Sequence, residues 1–271
     1  MSGSGRPFLL RVVPDRLKLS LFARHYRARR RKWLHLYENA PLRYAPAVSM
    51  CGLLPGDVIS DSIALTGLYE LEATRRTQEL AARGGLMVDV GANLGYFSLL
   101  WAAARPDNRV MAFEASPRNV PLLRRNVERN GFGSRVEIAA VAVGKAPGKL
   151  GFSLGPQEQT GWGGVTMDPS DTNVTVDVVR LDDIVNSLPE IALLKIDIEG
   201  ADTWALLGCE RLLRARRVKE IWFEANKPRM RSLGIEPDAA IEFLSSVNYV
   251  TRPITPLTGD QVEWRSVPAA P

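Results

Sequence analysis

The chain has 271 residues, 45% of them hydrophobic, 24% charged and 7% aromatic, a balance that can bury a core and excludes general disorder. Its two cysteines, Cys51 and Cys209, have no CxxC or Cys/His spacing, which excludes a disulfide framework and a structural zinc site and fits a reducing compartment. The net charge of +5 is uneven, because residues 1–43 hold eleven Lys/Arg against Asp15 and Glu38, so a +9 arm precedes a body of net charge −4.

In chain order, no apolar run approaches the roughly 18 to 20 residues that cross a bilayer, and the first residues lack a signal peptide's apolar stretch. The expected location is cytoplasmic, with peripheral contact at the inner membrane surface open to the arm. Residues 16–37 carry Leu17, Leu19, Leu21 and Phe22, then a basic run, then Trp33, Leu34, Leu36 and Tyr37, which predicts a helix with an imperfect apolar face. Packing on the domain, contact with anionic lipid through residues 1–43, and nucleic-acid binding all fit such an arm. Its leucine and aromatic content favours a surface over a groove, so nucleic acid is not the expected partner. Residues 41–65 alternate short apolar pieces with Pro41, Pro46, Gly52, Pro55 and Gly56, predicting small strands or a hairpin. Residues 1–65 thus read as a basic extension of helix and small strands, and residues 66–271 as the main domain.

That domain opens with a helix capped by Thr66 and stopped by Gly84 and Gly85. Strands at 86–91, 109–114 and 135–143 then alternate with helices at 94–104 and 117–131. The period breaks at 144–173, where a strand at 149–154 precedes a loop rich in Gly, Thr and Asp, of the kind that is usually functional or mobile. A strand at 174–181 follows, then a strand at 191–200, a helix at 201–216, a strand at 218–225, a helix at 237–246 and a last strand at 261–267. The alternation predicts an α/β fold with a mostly parallel sheet flanked by helices and right-handed crossovers.

Asp89, Gly91, Asn93 and Gly95 lie where the first parallel strand meets its helix, the place at which open α/β sheets bind ligands. Asn93 stands where a nicotinamide fingerprint keeps a glycine for the pyrophosphate, and Asp89 would attract an ammonium group and repel phosphate. Glu114 ends the second strand, placed to accept hydrogen bonds from two ribose hydroxyls. Together they outline an amino-acid-plus-nucleoside ligand, and S-adenosylmethionine has those parts and no phosphate. The plainer alternative has Asp89 capping a helix, Glu114 solvated and the glycines merely turning.

The stretches DVGANLGYFSLLWA, VMAFEASPRNVPLLRRNVERNG, VRLDDIV, KIDIEGADTWALLGC and EIWFEA resemble successive blocks of the FkbM-type family of S-adenosylmethionine-dependent methyltransferases. The resemblance runs over about residues 67–249. It implies a class I methyltransferase (Rossmann-like) fold, S-adenosylmethionine as methyl donor, and usually O-methylation of sugars, glycolipids or polyketide-type metabolites. Gly67, Tyr69 and Glu70 match the family's Gly-x-Tyr-Glu element, taken to approach the cofactor's amino-acid end. The implied cofactor set is Tyr69, Glu70, Asp89, Gly91, Ala92, Asn93, Gly95, Tyr96, Phe97, Glu114, Ala115, Ser116, Val141, Ala142 and Asp197. Two departures are Ala115 in place of a proline and Asp202 in place of a glutamate, the second expected to reshape the acceptor side.

Methyl transfer to an alcohol needs an aligned acceptor and a base. The only histidines, His25 and His35, sit in the arm, so a carboxylate is the expected base. The candidate reacting set is Lys195, Asp197 and Glu199, which share one side of a strand by period two, with Glu224 at the next strand end. An ion pair with Lys195 plus acids at a helix start would explain the same residues without chemistry. Asp197, Glu199 and Glu224 offer the oxygen ligands that a divalent cation takes, but their spacing is no dedicated metal motif and none is expected. Asp182 and Asp183 read as caps. No Asn-Pro-Pro-Tyr or Asp-Pro-Pro-Tyr follows the fourth strand, which favours oxygen over nitrogen as acceptor. Trp162 among glycines reads either as a lid or stacking face for a sugar ring, or as a surface loop. The expected function is O-methylation of a hydroxylated small-molecule, sugar or glycolipid acceptor, and a lipid-linked acceptor would give the arm a purpose. The alternatives are an RNA methyltransferase and a non-catalytic binding protein of the same fold.

Overall fold

The structure is a computed structural model that describes residues 6–22, 31–184, 190–254, 257 and 259–270. Its centre is a seven-stranded sheet: β1 (Leu86–Val90), β2 (Arg109–Phe113), β3 (Val136–Ala139), β4 (Ile191–Ile196), β5 (Ile221–Asn226), β6 (Tyr249–Pro253) and β7 (Gln261–Pro268). The order across the sheet is β6-β7-β5-β4-β1-β2-β3. Strands β3 to β5 run parallel through β2, β1 and β4, and β7 is antiparallel to both its neighbours. This is the class I methyltransferase-like arrangement, a mostly parallel sheet flanked by helices. The chain winds outward in one direction from β1 to β3, then returns to start β4 on the other side of β1, so a switch point lies between β1 and β4.

Strands β1 and β4 are apolar on both faces but for one charged residue each, Asp89 and Lys195, because both faces are covered. Alternate side chains enter different cores. Met87, Val110 and Leu193 pack with Leu99, Leu100, Trp101 and Leu123, whereas Val88, Met111 and Leu194 pack with Leu206, Leu212, Leu213 and Leu244.

Several local expectations are corrected. The segment 135–143 is not one strand: β3 ends at Ala139, and Ala142–Val143 joins a separate four-stranded sheet with Gly148–Ser153, Gly164–Thr166 and Val174–Val179. The helix expected over 201–216 is two, Asp202–Leu207 and Glu210–Arg214, and Gly208 between them lies against the backbone of Gly144, where a Cβ would stand 2.1 Å from the carbonyl oxygen. Thr66 caps nothing. It is the last residue of an unpredicted helix, Val58–Thr66, whose N-cap is Asp57, accepting from the Ser60 N–H at 2.9 Å, and whose C-cap is Gly67 at φ 81°. The next helix, Leu71–Ala81, follows Glu70. The edge strand β6 and the helix Lys227–Ser232 also went unpredicted.

The hairpin expected within 41–65 is present as Ala40–Pro41 paired with Ser49–Met50. The arm is not one helix over 16–37: Asp15–Leu21 is helical, residues 31–33 form a 3₁₀ turn, and His35–Glu38 is a separate short helix. Residues 23–30 of that expectation, with His25 and most of the basic run, lie outside the described residues. Leu10, Phe22, Leu36 and Tyr37 share one core with Leu99 and Trp101. Among the described residues no helix is long and apolar enough to cross a membrane.

Candidate active site

A cavity of about 550 Å³ opens at the carboxyl ends of β1, β2, β4 and β5, beside the switch point. Its geometry begins with the turn after β1. Gly91 has φ 83°, and a Cβ there would stand 2.0 Å from the backbone oxygen of Asp197. The glycine is therefore demanded by the end of β4 crossing the turn. We expect Gly91→Ala to lower stability by roughly 3 to 5 kcal/mol, since left-handed strain adds to a backbone clash that no rotamer relieves. Chemical denaturation measures this, and a loss below about 1 kcal/mol would show that the two strand ends part easily. Gly95, at φ 94°, clears space for Leu123 in a neighbouring helix, where a Cβ would meet its Cδ1 at 2.7 Å.

Asn93 adopts φ 51°, which turns its N–H to donate to Glu114 Oε2 at 2.7 Å. The Ser116 N–H donates to the other oxygen at 2.8 Å. Burial pushes the Glu114 carboxyl up to about 7, and these two N–H groups oppose the rise. Ala115, Ser116, Val141 and Ala142 line the same end of the cavity. Asn93 Oδ1 is buried beside it with no hydrogen-bond partner among the described residues.

At the other end, Lys195 Nζ donates to Asp197 Oδ2 at 2.9 Å and lies 4.9 Å from the centre of the Phe97 ring. Burial opposes the Lys195 charge, but Asp197, Asp89 and Glu70 together raise its pKa above the ordinary lysine value. Glu199, at φ 54°, accepts from Asn226 Nδ2 at 3.2 Å. Of the five non-glycine residues with positive φ among the described residues, Glu70, Asn93 and Glu199 line this cavity, a concentration of strained backbone typical of functional sites.

Carboxylates crowd this end, and each makes ionisation of its neighbours harder. Burial, and after it Asp197, pushes Glu70 and Glu199 up to about 7. Glu224 is pushed up to about 9 by burial and then by Asp197, Asp202, Glu199 and Glu70. Protonated Glu224 thus favours the folded state. Its contribution is complete below the ordinary glutamate range of about 4.5 and is lost as pH rises through about 9. We expect the melting temperature to fall between about pH 5 and pH 9, and Glu224→Gln to flatten the upper part of that fall. A variant with the parent's slope above neutrality would assign the dependence to other groups.

Of the residues expected at the site, Tyr69, Glu70, Gly91, Ala92, Asn93, Tyr96, Phe97, Glu114, Ala115, Ser116, Val141, Ala142, Lys195, Asp197, Glu199 and Glu224 line the cavity. Gly95 and Asp89 do not. Asp89 is 1% exposed inside β1, in register with Lys195 on β4, and accepts from Ser98 Oγ at 2.6 Å. It therefore faces Lys195 and the start of a helix, and not the cavity. Asp202 is also off the cavity wall. Its Oδ1 accepts from the Glu224 N–H at 2.9 Å and its Oδ2 from the Ile198 N–H at 3.3 Å, so it clasps the ends of β4 and β5. Asp182 accepts from the N–H groups of Arg211 and Leu212, the cap of a helix other than its own. Among the described residues no three His, Cys, Asp or Glu are grouped to hold a metal ion, and His35 lies off the cavity.

Sequence reasoning missed Glu263, Trp264 and Trp222, which also line the cavity. Glu263 comes from β7, directly opposite Glu224 on β5. The last strand was legible at 261–267, but its antiparallel return beside β5 was not. The loop carrying Trp162 lines the cavity and is tied down: Thr160 donates through N and Oγ1 to Asp57 at 3.1 and 2.9 Å, and its carbonyl accepts from Asn119 Nδ2 at 2.9 Å.

The sequence matches the family described as the methyltransferase FkbM domain over residues 89–251. It is 29% identical over 148 residues to Methyltransferase 1 of Beauveria bassiana, covering 46% of this chain and 58% of that one. It is 28% identical over 156 residues to the 31-O-demethyl-FK506 methyltransferase FkbM of Streptomyces tacrolimicus, covering 47% and 60%. The chain thus spans about 60% of the length of these curated relatives. Methyltransferase FkbM from Methylobacillus flagellatus superposes on 88% of this chain and 59% of its own, at 18% identity and a TM-score of 0.48.

Proposed function

The chain belongs to the FkbM methyltransferase domain family, and from that premise we propose that it is an S-adenosylmethionine-dependent O-methyltransferase acting on a hydroxyl of a sugar, glycolipid or polyketide-type metabolite. The observation that carries the cofactor reading is the one-sidedness of the cavity. Asn93 Oδ1 is an orphaned acceptor, Glu114, Glu70, Asp197, Glu199 and Glu224 are carboxyl groups, and Lys195 is the one lysine or arginine among the described lining residues. A ligand with an ammonium, a sulfonium and two ribose hydroxyls suits that array, whereas a pyrophosphate would meet repulsion. S-adenosylmethionine supplies an electrophilic methyl group on a sulfonium.

In this reading the chain's own residues do three things. Glu114, oriented by the Asn93 and Ser116 N–H groups, accepts the ribose hydroxyls. Glu70 and its neighbours hold the positive end. Asp197, steadied at one oxygen by Lys195, takes the acceptor's proton at the other as the new bond forms. Trp162 and Trp264 give the mouth aromatic faces beside carboxylates, a combination suited to a polyhydroxylated acceptor.

Calorimetric titration with S-adenosylmethionine, S-adenosylhomocysteine and NAD tests the cofactor assignment. Micromolar binding of the first two and none of NAD is the expected result. Folded protein that binds neither methyl-cycle ligand would end the proposal. Labelled methyl transfer to glycan, glycolipid and polyketide pools then tests the acceptor class.

A further inference from the structure

Residues 6–22 are fastened to the domain on one side and bare on the other. Arg6 donates from Nε to the Ala64 carbonyl at 3.0 Å and from Nη2 to that of Ile63 at 3.2 Å, filling acceptors near the end of helix Val58–Thr66. Leu10 and Phe22 enter the core, and buried Lys18 pairs with Asp15 at 2.8 Å. With those contacts made, Phe8, Leu9, Val12 and Leu17 remain 65%, 48%, 58% and 57% exposed. Single exposed apolar residues are ordinary, but here four fall within the ten residues 8–17. Exposed Arg11, whose guanidinium lies 5.6 Å from the centre of the Phe8 ring, and exposed Arg16 sit among them. Arg31, Lys32 and Leu34 repeat the mixture further along.

We propose that this face docks on an anionic phospholipid bilayer, with the apolar side chains in the interface and the arginines against lipid phosphates. Charge selects this occupant. A second copy would bring exposed Arg11, Arg16, Arg31 and Lys32 against the same four cations, and RNA would satisfy the arginines while leaving the phenylalanine, leucines and valine bare. An anionic bilayer answers both halves of the pattern. Helix Val58–Thr66 touches the short helices Phe8–Val12 and Asp15–Leu21 and contributes Ile59 to the cavity wall, so docking would set the cavity one helix away from the arm. The inference rests on the arm and is independent of the methyltransferase reading.

The test is flotation of the full chain with phosphatidylcholine vesicles and with vesicles in which a third of the lipid is phosphatidylglycerol, at low and high salt. We expect recovery with the anionic vesicles at least about tenfold greater, falling with salt. Phe8→Ser with Val12→Ser should cut binding about tenfold, and Arg11→Glu with Arg16→Glu should weaken its salt-sensitive part. Melting temperatures near the parent's would show both double variants folded, as expected for side chains facing outward. Equal recovery with the two vesicle types, undiminished binding by folded serine variant, or single-stranded RNA displacing the protein from anionic vesicles would each overturn the proposal.

Discussion

Glu114→Ala is expected to weaken binding of S-adenosylhomocysteine by roughly two to three orders of magnitude, about 3 to 4 kcal/mol. The carboxylate would make two charge-assisted hydrogen bonds to ribose hydroxyls in a buried setting, where such bonds are strongest. It also organises its own loop, because the Asn93 and Ser116 N–H groups both end on it. Truncation leaves those two donors unsatisfied, so a stability loss of about 1 to 3 kcal/mol accompanies the binding defect. Glu114→Asp separates the effects: it keeps the charge but withdraws it by one methylene, and should bind at an intermediate level. Titration calorimetry on both variants, beside thermal melts, reads the two losses independently. Full affinity in a folded Glu114→Ala protein would mean that the nucleoside end lies elsewhere.

Asp197→Asn should lower kcat by about 10²- to 10⁴-fold while changing cofactor affinity by less than about tenfold. The substitution keeps the shape of the side chain and an oxygen for Lys195, which lies 2.9 Å from Oδ2 in the parent, but removes the basicity that an alcohol acceptor requires. Glu199 and Glu224 are the competing bases at this end. Single-turnover transfer measured for Asp197→Asn, Glu199→Gln and Glu224→Gln assigns the role. A near-normal chemical step in Asp197→Asn with a collapsed one in Glu199→Gln would move the base to Glu199. Because Glu224 is held protonated to about pH 9, it suits donating a hydrogen bond to the acceptor at neutral pH better than removing a proton.

The class of fold and the position of the binding edge were legible in the sequence, and most of the residues expected at the site line the cavity, though they are fewer than half of its wall. Strands β1 and β4 announce themselves as apolar runs broken once each, by Asp89 and Lys195, and the turn at Gly91 to Gly95 and the carboxylates Glu114, Asp197, Glu199 and Glu224 fall at strand ends, where chain-local periodicity suffices to place them. Tertiary structure alone decided the rest. Strand register turns Asp89 toward Lys195 and away from the cavity. The antiparallel return of β7 brings Glu263 opposite Glu224 across nearly 40 residues of chain, a pairing that no local pattern encodes. Asp202 became a clasp because the ends of β4 and β5 present two N–H groups to it. The raised carboxyl groups followed the same logic. Each residue type is written in the sequence, but its protonation depends on burial and on like charges from β4, β5 and the segment before helix Leu71–Ala81, which only the folded chain sets side by side.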